Sequence, residues 1–180
     1  MFKDAIRAAL LDPRIYRDMD NESRSIAKAL GIVALVALAF GIGIRNETFT
    51  GFQDLEGGYS FLGEQNLVMV VGFATVIVGW FLWTTIAFLI GSRALGGKAS
   101  YRMLLRGIGI ASGPGVLTIL FIVPEVGAAL FALSRLWMFV ATAFAIRELQ
   151  QSGWASAVIS AFIGWVFAVL YLPSFLLQPV

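Results

Sequence analysis

Few side chains in this sequence are able to do chemistry, and the missing types decide more than those present. There is no histidine and no cysteine. That removes the commonest general base, the usual haem and zinc ligands, thiolate nucleophiles and disulfides. Ser112 has no histidine to activate it, and no serine sits in a Gly-x-Ser-x-Gly elbow. Gly96-Gly97-Lys98 looks like the end of a phosphate-binding loop, but Ser92 replaces the leading glycine and an apolar run precedes it. A non-enzymatic protein with no cofactor and no metal site is the expectation.

One ionisable residue stands out by position. Arg135 is the single charge inside its apolar run, ten residues from Glu125 and twelve from Arg147. At 1.5 Å per helical residue that is near the middle of a membrane, where insertion of an arginine costs about 2.5–3.5 kcal/mol. No Asp or Glu occupies a comparable depth. Helical side chains lean toward the amino-terminal end, so Arg135 is expected to reach toward Glu125 or the nearer headgroups, or to cap carbonyls freed at Pro114. Contact with a ligand, a lipid phosphate or another subunit is the alternative. The other candidate contacts are Arg93, Lys98, Arg102 and Arg106, a basic cluster without an acid.

The elements that must position these residues follow from composition. Of 180 residues, 59% are hydrophobic and 13% charged, and the mean hydropathy is +0.85. Soluble domains are about half apolar and a quarter charged, which leaves an all-α, polytopic membrane bundle as the fold class. Five uncharged or nearly uncharged runs, 29–44, 67–90, 107–123, 126–146 and 154–177, are each read as a spanning helix. They are too long for barrel strands. Residues 1–28 form a leader ahead of the membrane domain of 29–177, and no cleavable signal is evident.

Eleven of the thirteen basic residues fall in the leader, the second connection and at Arg147, whereas Arg45 alone faces Glu47, Asp54, Glu56, Glu64 and Glu125 on the other side. The basic side is cytoplasmic by the rule for lysine and arginine, so the amino terminus is expected inside and the carboxyl terminus outside. The net charge of +2 gives nucleic acid no support as a partner. Anionic membrane lipids are the expected one.

Two shorter patterns add detail. Residues 2–11 form an amphipathic helix with Phe2, Ile6, Ala9 and Leu10 on one face, ended by Asp12-Pro13. It is read as an interfacial helix, a docking helix for a partner, or a leader packed on the bundle. In the third run, Gly107, Ala111 and Gly115 recur at intervals of four, as do Gly109 and Gly113, while Ser156, Ser160 and Gly164 repeat the pattern in the fifth. Such rows let helices approach closely. Close packing inside the chain is the first reading, with a homodimer face or a hinge at Pro114 as the others.

Three segments carry a resemblance. They are Leu10-Leu11-Asp12-Pro13-Arg14-Ile15-Tyr16, then Leu95-Gly96-Gly97-Lys98-Ala99-Ser100-Tyr101 through Arg106 with Ala111-Ser112-Gly113-Pro114, and Leu136-Trp137 followed by Arg147-Glu148. Together they resemble the Yip-domain family of Ypt/Rab-interacting proteins, in its short bacterial form. The resemblance implies five spans, a cytosolic amino terminus and a bacterial inner-membrane location. Eukaryotic members carry a longer cytosolic domain with an Asp-Leu-Tyr-Gly-Pro motif, which is absent here, so binding of a Rab-type GTPase does not carry over.

The function expected from these features is scaffolding or organising partner proteins or lipid at the cytoplasmic face. An accessory subunit of a larger inner-membrane complex, or a homo-oligomer, is the second reading. A transporter or channel ranks behind both, because five spans do not split into inverted repeats and no mid-span carboxylate couples an ion.

Overall fold

The computed structural model describes residues 2–17, 23–53, 65–123 and 125–172. Among them every regular element is helical, and five helices are long and apolar enough to cross a membrane. Pro124, the acidic stretch 54–64 and the end of the fifth run beyond 172 lie outside the described residues, as do the side chains of Phe2, Arg45 and Glu47.

The first run sits in α3 (Ser23–Gln53) and the second in α4 (Gln65–Ala87). The helical run does not stop at residue 90. It widens into a π-helical turn over Phe88–Ala94, which closes with the Leu95 amide donating to the Ile90 carbonyl at 2.9 Å. The fifth run behaves alike, with α7 (Trp154–Trp165) passing into a π segment at Val166–Tyr171. Such widening adds a residue per turn and re-aims the side chains that follow it; hydrophobic spacing does not reveal it.

The third run begins earlier than its apolar stretch. Ser100 adopts extended backbone and its hydroxyl accepts from the Met103 amide at 3.3 Å, so α5 starts at Tyr101 and ends at Ala111. Arg102 and Arg106 are therefore helical residues and not part of a connection. At Gly113-Pro114 the α-helix gives way to a 3₁₀ helix, Gly113–Ile122. Pro114 has no N–H to donate, and the tighter coil carries the chain on to the hairpin turn. Glu125 takes a left-handed conformation there, φ 68°. The chain then enters α6 (Gly127–Gln150), whose Gln151 ends it in the left-handed region that commonly closes helices.

α5 is the central pillar. Leu104, Leu105, Ile108 and Ile110 are buried together with Gly107, Gly109 and Ala111, and the helix touches α1, α3, α4 and α6. The small residues explain how one helix meets four neighbours. A Cβ on Gly109 would lie 2.9 Å from the Ala29 Cβ and 3.2 Å from the Trp80 ring. On Gly107 it would overlap the Leu149 Cδ1, and on Gly115 it would lie 2.7 Å from the Val36 Cγ1. Gly113 lies against Ala5, and Gly164 faces the Trp83 ring. Gly107, Gly109, Gly113, Gly115 and Gly164 thus each lie against a side chain of another element.

The leader folds as α1 (Phe2–Ala9) and a single turn, α2 (Arg14–Arg17). α1 lies against α5, the 3₁₀ segment and α6. Ala8 is buried against the bundle, while Ile6 and Leu10 of the apolar face are exposed. Alanines allow the close approach to Gly113, and the larger side chains point away from the protein. Trp137 fastens this helix, its indole N–H donating to the Ala9 carbonyl at 2.9 Å. Arg7 pairs with Asp12 at 2.8 Å and Lys28 with Asp4 at 3.3 Å. The Arg14 amide and then the Arg7 side chain hold the Asp12 carboxyl below its ordinary value. Burial would raise that of Asp4, but the hydrogen bond and charge of Lys28 outweigh it.

Candidate functional site

Two groups of polar residues stand out in this scaffold. The first surrounds Arg135. Its Cα lies on α6, one helical turn after Phe131 and facing α3. The guanidinium carbon sits 4.6 Å from the centre of the Phe40 ring and 4.7 Å from that of Phe131, so the cation is held between two aromatic faces. The residue is only 9% exposed, and its Nε–H has no hydrogen-bond partner. Among the described residues no carboxylate pairs with it.

This geometry differs from both structural expectations. Arg135 turns into the bundle and not outward to Glu125. Nor does it cap the Ile110 carbonyl, which Pro114 leaves without its usual donor; the Ser112 amide reaches that carbonyl, and the Ser134 hydroxyl donates to the carbonyl of Pro114 at 2.8 Å. Phe40 and Phe131 are responsible, because a weakly hydrated planar cation gains from stacking where an ammonium would not. Desolvated cation–π contacts are worth about 2 kcal/mol each, so the two together offset much of the several kcal/mol of burying an ion. They leave the Nε–H without an acceptor.

Arg135 borders a cavity of about 40 Å³ lined also by Phe40, Thr75, Trp80, Trp83, Ser112 and Met138. Every donor on those walls is committed to the backbone. Thr75 donates to the Val71 carbonyl and Ser112 to that of Gly109, each at 2.7 Å. The indoles of Trp80 and Trp83 donate to the carbonyls of Leu105 and Ala161 at 3.0 and 3.1 Å.

The second group is at the bundle end where α4, α5 and α6 converge. Arg93, Lys98 and Arg102 are exposed there, and Arg106 is half-buried. Arg93 lies over the Phe88 ring at 5.5 Å, and Arg147 over Trp154 at 4.6 Å while pairing with Glu148 at 3.0 Å. The structure does not bring these residues to Arg135, so the sequence-derived candidates divide between two places. Pro114, Ala111, Gly115, Ser160 and Gly164 are buried packing residues, and Ser156 serves by accepting the Ser160 hydroxyl at 2.8 Å.

Gln150 was missed. Its side chain is buried and its side-chain amide donates to the Ala87 carbonyl at 3.1 Å, while its backbone carbonyl accepts the Lys98 amide at 3.1 Å. Gly91 and Gly97 leave the room for it, and the Gly97 amide donates to the Gly91 carbonyl at 2.8 Å. This junction fixes the connection that presents Lys98. A glutamine in a run's last turn carries no sequence signal for that role. Phe131, by contrast, stands four residues before Arg135 and so on the same helix face, a legible clue.

The comparisons bear on the whole of this arrangement. The family model for the Yip1 domain matches residues 7–176, which takes in α2 to α7, the basic end and Arg135. The chain belongs to the Yip1 domain family. No curated protein and no solved structure gives a significant match. As a Yip1-domain protein with five apolar helices of spanning length, it is an integral membrane protein. The family match begins at Arg7, so most of α1 falls outside it while the Arg7–Asp12 pair falls within.

Proposed function

We infer that this Yip1-domain protein acts without catalysis in the bacterial inner membrane, organising partner proteins or anionic lipid at its cytoplasmic face. The observation that carries the reading is the exposed basic group Arg93, Lys98 and Arg102, of which Lys98 lies on the connection held by the Gln150 junction and the other two on the helical turns that flank it. Each basic side chain near an anionic surface contributes about 1 kcal/mol. Fixing them on the π-helical turn, the short connection and the first turn of α5 makes a compact docking point and not a loose tail. The amino terminus lies on this same side, following the asymmetry of lysine and arginine.

The native chain has no cysteine, so orientation is tested with single introduced ones. Lys98→Cys should react with an impermeant reagent only after the membrane is opened, and Gly58→Cys from outside. Lys98 is preferred to its neighbour Ala99, which is buried. The reverse pattern would sink the orientation. Function is tested by photo-crosslinking from Lys98 in native membranes. Capture of defined proteins or acidic lipids, reduced when Arg93→Gln and Arg102→Gln are added to the chain carrying the probe at position 98, supports an organiser. Co-purification at fixed stoichiometry with one large assembly would instead make it an accessory subunit.

A further inference from the structure

The buried guanidinium of Arg135 presents a problem of charge that the chain's own described groups leave unsolved. Arginine stays protonated in proteins, and a buried ion without a partner is among the costlier features of a fold. The two phenylalanine rings stabilise its faces and leave the Nε–H on its edge without a hydrogen-bond partner. That residue also borders the 40 Å³ cavity.

We propose that Arg135 and this cavity form a binding site for a single small inorganic anion, of the halide class. Size points to it. The cavity exceeds the ~10–15 Å³ that one water requires, yet is far below the ~300 Å³ at which pockets for organic ligands begin. A phospholipid headgroup does not fit with its glycerol attached. Chemistry points the same way. A water at this place would satisfy a donor and leave the positive charge, whereas an anion does both through charge-assisted hydrogen bonds. The hydroxyls of Thr75 and Ser112 can rotate from their helix carbonyls to donate to the anion as well. The apolar walls of Trp80, Trp83 and Met138 exclude competing water, which strengthens the ion's contact with the guanidinium. The ion is structural in its effect, because it neutralises the charge that joins α6 to α3 across Phe40.

The experiment uses the full-length protein purified in detergent with gluconate as the only anion, then titrated with bromide at constant ionic strength. A saturable rise in melting temperature is expected for the wild type. Arg135→Met keeps the stem between the rings and should abolish the rise. The Arg93→Gln, Lys98→Gln, Arg102→Gln variant should retain it in full, which separates this site from the basic end. Anomalous diffraction from wild-type crystals grown in bromide should place an ion within hydrogen-bond reach of the Arg135 guanidinium. That measurement decides the matter if the methionine variant does not fold. Equal bromide response in wild type and Arg135→Met, or a map with no bromide at Arg135, overturns the proposal. So does a carboxylate or lipid phosphate found in its place.

Discussion

Gly107 and Gly164 belong to the same kind of small-residue row, yet alanine at the two positions should have opposite results. A Cβ on Gly107 meets the Leu149 Cδ1, the far end of a flexible side chain. Rotation of that methyl group relieves the overlap, and the better helix propensity of alanine returns up to about 1 kcal/mol. Gly107→Ala should therefore lie within about 1 kcal/mol of the wild type. At Gly164 the obstacle is the Trp83 ring at Cδ1, beside an indole nitrogen that is buried and donates to the Ala161 carbonyl. The ring cannot retreat and keep that bond. Overpacking costs about 1–3 kcal/mol, and an orphaned buried donor a further 1–3 kcal/mol or so. After the gain in propensity, Gly164→Ala should lose about 1–5 kcal/mol. Reversible unfolding in mixed micelles by increasing SDS fraction measures both. A double variant with Trp83→Leu should lose less than the sum of the single changes by at least ~1 kcal/mol, since the shared contact is then gone. Equal stability of the two alanine variants, or strict additivity in the double variant, would refute this account of the packing.

Phe131→Leu removes one face of the arginine sandwich and should destabilise by about 1–2 kcal/mol; in an Arg135→Met background the effect should shrink, as read by the same SDS titration. The Asp12 carboxyl is held below its ordinary 3.8, so its contribution is present above that pH and disappears as pH falls through the lower folded value. Hydrogen exchange across residues 2–17 should accelerate under such acid conditions, and Asp12→Asn should show that acceleration already at neutral pH. Trp137→Phe deletes the bond to the Ala9 carbonyl and should loosen α1 in the same assay while leaving α5 protected. Ile110→Leu should not be neutral, because Ile110 is buried on the pillar; Val116→Leu, on an exposed position, should be, within about 0.5 kcal/mol.

Spanning segments were readable because lipid demands long apolar runs, and that signal survives without tertiary information. Family membership was readable too, from short segments such as the one ending at Tyr16. Ends of helices were not. α5 extends back to Tyr101 because Ser100 caps it, a local bond that hydropathy does not register. The π segments, with Gly91 and Ala168 buried in them, have no periodic signature. Arg135 was legible as an anomaly and illegible in direction. One of its partners, Phe131, is local in sequence, but Phe40 arrives from α3 across the bundle. The leader shows the same division, since its helix was evident while its contact face was decided by the glycine it meets, Gly113.

Enclosing α5 on all sides bears on how the chain enters a bilayer. Insertion machinery senses how well a segment partitions into lipid, whereas α5 carries side chains chosen for protein neighbours. Its segment, Tyr101–Ile122, has a mean hydropathy of 1.6, the lowest of the five, and two arginines in its first turns. Such a stretch is poorly retained alone and is best delivered together with α6 as a hairpin turning at Glu125. Biogenesis and folding then make contrary demands on the same glycines. Leucine at Gly109 improves partitioning into lipid and blocks the approach of Ala29 and Trp80. Such a variant would accumulate in the membrane more readily while assembling less, so quantity and correctness of the product would move in opposite directions.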